Sequence, residues 1–245
     1  MANPMAITLD QYNAGVANFQ AHYFLNHCST SFTGQDNQVN WSDFADAVNN
    51  FITNNSLDPA TIALRFVFCY DAANTNLYLR VQILTMTADP KIANQYNLNA
   101  NPSIWYVIDN GSMTTTSVHD LMDNSFFNNF YYCNAASCTD SCLQSLGANS
   151  SVYTQNVVFP WIAEVAQMYA DNSDPSGGKI GFTCCSYPAA DGAPTAYPET
   201  LVIYLTNASD NKLIDNSVVS GFQSKAADMG TLCRFVCGVY IAPNI

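Results

Sequence analysis

The stretch IALRFVFCYDAANTNLYLRVQILTM, Ile62 to Met86, decides the fold. Ile62 to Tyr70 is dense in β-branched and aromatic residues. From Leu77 onward, Leu77, Leu79, Val81 and Ile83 alternate with Tyr78, Arg80 and Gln82. Apolar residues at every second position mark a strand with one buried face. The connection DAANTN is polar and turn-rich, so the two runs read as an antiparallel hairpin. Asp109-Asn110-Gly111 is a second turn signal, because Asn and Gly tolerate positive φ. It joins a third strand at Ile104 to Ile108 to a fourth at Met113 to Val118.

Ahead of this sheet the period changes. Tyr12, Val16, Phe19 and Tyr23 fall on one helical face, and Thr8 with Gln11 three residues on fits a capping box. A second helix is predicted over Ser42 to Asn54, with Phe44, Ala47, Val48, Phe51 and Ile52 as its apolar face. The segment between them, SFTGQDNQVN, reads as a polar connection.

The helix-then-hairpin unit recurs. FADAVNNFITNNSLDP, Phe44 to Pro59, aligns with WIAEVAQMYADNSDP, Trp161 to Pro175, with only Leu57 unmatched. Beyond it Phe66 falls on Phe182 and Cys69 on Cys185, and LYLRVQIL has a counterpart in TLVIYLT. A fixed internal offset is the mark of a repeat. The expected fold is therefore α+β: two related halves from an internal duplication, each with one or two helices packed on an antiparallel sheet. The expected division is 1–145 for the first half and 146–245 for the pseudo-repeat, with LQSLGANSSVY as the linker.

Composition excludes several functions. The 245 residues hold 7 Lys+Arg against 19 Asp+Glu, a net charge of -12. Seven cations cannot line a nucleic-acid groove, where each phosphate contact needs one. Nor can they form a polybasic patch for anionic lipid. No apolar run reaches the ~20 residues of a membrane span, and the N-terminus shows no secretory signal. A soluble protein is expected, cytoplasmic or part of an assembled particle. Charged residues are 11% of the chain while Asn occurs 28 times, so the polar surface is largely amide and hydroxyl. Glu is confined to Glu164 and Glu199. Lys and Glu are the residues that protein interfaces lack, and aromatics, 13% here, are those they favour.

The chemistry-bearing residues give no complete motif. Cys133, Cys138 and Cys142 cluster in one half and Cys233 and Cys237 in the other. Thiolates bind zinc tetrahedrally, so ligands from both clusters could meet in one site. The spacings depart from the C-x2-C of zinc knuckles, and buried thiols or disulfides satisfy the same pattern. No cofactor is expected, zinc being the one possibility that the residues leave open. His22, His27 and His119 lack a nucleophile motif beside them. Asp43 with Asp46, and Asp120 with Asp123, read as helix N-terminal charges rather than a glycosidase pair. Gly177-Gly178-Lys179 follows a helix and precedes a strand, the reverse of a phosphate-binding loop. Trp41, Trp105 and Trp161 could stack on sugars, but a helix-start packing role suits Trp41 and Trp161 better.

The expected function is accordingly a non-catalytic structural protein that associates with itself or with another protein. The alternatives are a small hydrolase-type enzyme with a Cys or Asp site between the halves, or a module for polar ligands such as glycans.

Overall fold

The computed structural model describes residues 7–21, 34–71, 76–93, 95–109, 111–116, 150–154, 178–186, 199–207, 209–212, 226–227, 231–233 and 239–241. Within them the chain is α+β, with two helices and two antiparallel sheets. The helices are α1 (Leu9–Phe19) and α2 (Trp41–Asn54). The strands are β1 (Asp36–Asn40), β2 (Ile62–Asp71), β3 (Asn76–Ala88), β4 (Gln95–Asp109), β5 (Ser112–Thr116), β6 (Ser150–Thr154), β7 (Lys179–Ser186), β8 (Glu199–Leu205), β9 (Ala226–Ala227), β10 (Thr231–Cys233) and β11 (Val239–Ile241).

The local signals become local structure. The α1 capping box forms: the Gln11 backbone N–H donates to Thr8 Oγ1 at 3.2 Å, and the Thr8 N–H donates to Gln11 Oε1 at 2.7 Å. In α2 the buried residues are Phe44, Ala45, Val48 and Phe51. β2 and β3 pair antiparallel from Ile62↔Thr85 to Asp71↔Asn76, as the alternation requires. Gly111, at φ 82°, turns β4 into β5.

The topology departs from two self-contained halves. The smaller sheet has the order β1-β7-β8-β9; the larger runs β10-β6-β2-β3-β4-β11, with β5 also on β4. Strands from before residue 145 and after residue 146 thus share both sheets. β1 is the pivot of this arrangement: it lies in the polar stretch read as a connection, yet it pairs with β7 from Asp36↔Thr183 to Asn40↔Lys179. β4 is also longer than the predicted strand. It begins at Gln95, and its ladder with β3 slips between Leu84 and Thr85.

One core lies between the sheets. Ile62, Leu64 and Phe66 of β2 and Leu77, Leu79, Val81 and Ile83 of β3 join Ile180 and Phe182 of β7 and Leu201, Ile203 and Leu205 of β8. Their alternation is the period-two pattern of two facing sheets. Phe182 sits at the centre, its ring 4.9 Å from that of Phe66 and 5.6 Å from that of Phe44 on α2. The opposite face of the small sheet is covered by α1, where Tyr12 packs with Cys185, Val202 and Tyr204. No helix among the described residues is long and apolar enough to cross a membrane.

Truncation of a fully buried aromatic removes both transfer energy and packing. Phe182→Ala is expected to cost about 3–5 kcal/mol in a denaturant titration. Ile92→Ser, at an apolar residue 51% exposed, should change stability by less than about 0.5 kcal/mol.

Candidate functional site

Among the described residues, a connected group of polar side chains lies on the outer face of the small sheet, under α1. Strand register places it. Gln38 of β1 stands opposite Gly181 of β7, which stands opposite Tyr204 of β8. Two residues along on the same face, Asp36 stands opposite Thr183. Gly181 has no side chain, so the Tyr204 ring lies flat across β7. A Cβ at position 181 would come within 2.0 Å of that ring. The Tyr204 hydroxyl thereby reaches β1, where it donates to Asp36 Oδ1 and accepts from Gln38 Nε2 at 2.7 Å.

The remaining bonds close a ring. Thr183 Oγ1 donates to Asp36 Oδ1 at 3.0 Å. With that proton committed, the 3.1 Å contact between Tyr12 and Thr183 has the Tyr12 hydroxyl as donor. Lys212, on the loop after β8, donates to the Tyr12 oxygen and to Asp36 Oδ2, the latter at 2.6 Å. The sequence Lys212–Tyr12–Thr183–Asp36–Lys212 is a closed circuit in which each bond polarises the next. The Lys212 ammonium also lies 4.9 Å from the centre of the Tyr12 ring and 4.5 Å from that of Tyr204, in cation–π range.

Burial and charge set the protonation of this group. Burial, then the Asp36 charge, push the Tyr204 phenol far above its ordinary value. Burial also raises Tyr12, against the opposing pull of Lys212. For Lys212 the largest single influence is burial, which lowers it, but hydrogen bonding and charge from Asp36 and Tyr12 together outweigh it and the net direction is up. At neutral pH the site therefore holds two neutral phenols and a charged lysine against Asp36.

A cleft of about 390 Å³ opens beside β1, lined by Gly34, Asp36, Asn37, Gln38, Asn40, Gly111 and Lys179. Its side chains are mostly engaged: Asn37 Nδ2 donates to the Gly34 carbonyl at 2.6 Å, Asn40 Nδ2 to Asp43 Oδ2 at 3.1 Å, and Lys179 pairs with Asp210 at 2.8 Å. A second polar line crosses the outer face of the large sheet, where Arg65 donates to Gln82 Oε1 and Gln82 Nε2 to Ser103, each at 3.2 Å. Burial lowers the Arg65 guanidinium from its usual value.

Of the cysteines weighed as metal ligands, Cys133, Cys138, Cys142 and Cys237 lie outside the described residues, and Cys233 ends β10 opposite Ser150. Cys69, Cys184 and Cys185 are buried. Among the described residues no three of His, Cys, Asp and Glu converge in a way that could hold a metal ion. His22, His27, His119, Asp120, Asp123 and Trp161 also lie outside the described residues. Asp43 sits in the first turn of α2, as a helix N-terminal charge. Trp41 begins that helix and packs against the core. Sequence spacing could not assemble the Asp36 group, since Lys212 is 176 residues from Asp36 and 200 from Tyr12. The available signal was Gly181 inside an apolar strand, which marks a close approach by another group.

Gly181→Ala should force Tyr204 off Asp36 and cost about 1–3 kcal/mol, the scale of overpacking. The pH dependence follows from the raised groups. A folded-state value above the unfolded one stabilises fully below the unfolded value, and that contribution disappears as pH rises through the folded one. Thermal stability should thus be insensitive to these groups near neutrality and fall above pH ~10, where unfolded Tyr and Lys ionise or discharge. The fall should be shallower in Tyr204→Phe, measured by melting across an alkaline pH series.

Comparison of the chain with protein-family models, with curated proteins and with solved structures gives no match in any of the three.

Proposed function

We propose that the chain is a non-catalytic structural protein that associates with itself or with another protein. The observation that carries this reading is that β5 stands at an edge of the large sheet among the described residues. Its sequence is Ser112-Met113-Thr114-Thr115-Thr116, and among the described residues its strand partner is β4. Soluble proteins ordinarily protect such an edge with Lys, Pro or an inward-pointing charge. Ser112, Thr114 and Thr115 are exposed and uncharged, while Met113 packs on the core. An extended segment could add to such an edge through main-chain hydrogen bonds.

The polar group under α1 supports the same reading from the other side. Its proton donors are spent on neighbours, and the ring ties α1, β1, β7 and the loop after β8 together. That is the behaviour of a structural tie rather than of a poised nucleophile and base. The finer expectation of two related halves belongs with this proposal. Phe66 and Phe182, matched in sequence, stack against each other across the core.

Association has to overcome a net charge of -12, so it should strengthen as salt screens the carboxylates. Light scattering over a wide concentration range, at low and raised ionic strength, is expected to show growth above the monomer mass. A monomer under all these conditions, with no partner retained, would overturn the proposal. Thr114→Lys, which puts a charge on the edge without touching the core, should weaken self-association about tenfold, roughly 1.4 kcal/mol.

A further inference from the structure

The seat of the Lys212 ammonium is built by residues that hold one another in place. Asp36 is fixed by Thr183 and Tyr204, Tyr204 by Gln38 and by the gap at Gly181, and Tyr12 by Thr183. None of these bonds involves the lysine. The loop that carries Lys212 is likewise held without its ammonium. The Asn207 side chain accepts from the Ser209 and Asn211 backbone at 3.0 and 2.9 Å, Thr206 bridges the backbone of residue 212, and Asp210 pairs with Lys179. A carboxylate flanked by two aromatic faces is the arrangement that recognises ammonium ions. The seat also opens to solvent, since the side chains of Lys212 and Asp36 are 32% and 33% exposed.

We propose that Tyr12, Tyr204 and Asp36 form a pre-built receptor for a primary alkylammonium group. Lys212 is its resident occupant, and a lysine side chain of another protein takes the seat when Lys212 swings out. The site is independent of the sheet-edge association proposed above, because it lies on the opposite sheet and reads a charge rather than a main-chain edge. Self-occupancy makes it conditional. An occupied seat lowers the apparent affinity for an outside ligand by the fraction of molecules in which it is vacant.

The test uses the full chain. In Lys212→Ala, butylammonium chloride is expected to raise the melting temperature saturably, beyond the effect of sodium chloride at equal ionic strength. The rise should vanish in the Lys212→Ala/Asp36→Asn double variant. Nα-acetyl-lysine amide should bind Lys212→Ala at least about tenfold more tightly than the wild type, as a resident competitor requires. Its Nε-acetylated form should not bind. The proposal is overturned if butylammonium does no more than sodium chloride, if the double variant responds equally, or if the acetylated probe binds as well. If Lys212→Ala does not fold, the wild type decides: butylammonium should speed the acylation of Lys212 by displacing it, and an unchanged rate would overturn the proposal. Lys212 should react more slowly than the exposed Lys91, and Asp36→Asn should abolish that protection. Equal reactivity of Lys212 and Lys91 in the wild type would show an empty seat and overturn the proposal.

Discussion

Neither sheet can bury its apolar face alone, and the contact that resolves this is Phe182 between Phe66 and Phe44. Phe182 belongs to the small sheet, Phe66 to the large one and Phe44 to α2, so a single cluster of rings joins three elements distant in sequence. A two-layer arrangement of this kind leaves one outer face per sheet to be covered or hydrated. α1 covers the outer face of the small sheet, and that choice determines where polar chemistry can gather. Every further feature follows from the two faces being committed to each other.

The outer face of the small sheet shows how a missing side chain organises a site. Gly181 gives up packing of its own, and the space admits the ring of Tyr204. The ring carries a hydroxyl across one strand to the next, so an interaction between β8 and β1 passes over β7. Thr183, two residues along β7 on the same face, anchors both Asp36 and Tyr12. The ring of hydrogen bonds then costs little desolvation that it does not recover, because every buried donor in it has an acceptor. A lone Asp36–Lys212 pair at this exposure would contribute little. It is the neutral partners that hold Asp36 and the two phenols in place around the ammonium.

What could be read from the sequence divides along the same physical line. α1 with its capping box, the apolar face of α2, the β2–β3 hairpin and the turn at Gly111 are written in local periods and turn chemistry, and they appear where expected. β1 is not legible in this way. DNQVN has one apolar residue, Val39, and its other inward position is Asn37, whose amide is satisfied by the Gly34 carbonyl rather than by water. A strand whose buried position is filled by a satisfied amide loses the alternation that would reveal it. The first part of β4 is hidden differently: Tyr96, Leu98 and Ala100 alternate with Asn97, Asn99 and Asn101, a residue type depleted in strands, and Asn97 and Asn101 are exposed. Pairing across the expected boundary is a further loss, since similar segments identify similar units but not the neighbour that each edge selects.

The charge deficit of the composition is deeper at the surface than the counts suggest. Of the seven cations, Lys179 and Lys212 are bound to Asp210 and Asp36 about one loop, residues 207–212. Arg65 is buried against Gln82, and Arg80 donates to Tyr78. Four of the seven are thus engaged by partners within the chain, and Lys91 is the exposed lysine among the described residues outside these pairs. Such a surface repels its own copies through carboxylates yet lacks the lysines that keep edges apart at short range. Long-range repulsion and the proposed short-range pairing at a sheet edge differ in length scale, the first screened within a Debye length of ~8 Å at physiological salt and the second untouched by it. The association proposed above would accordingly act only where salt or local concentration removes that outer barrier.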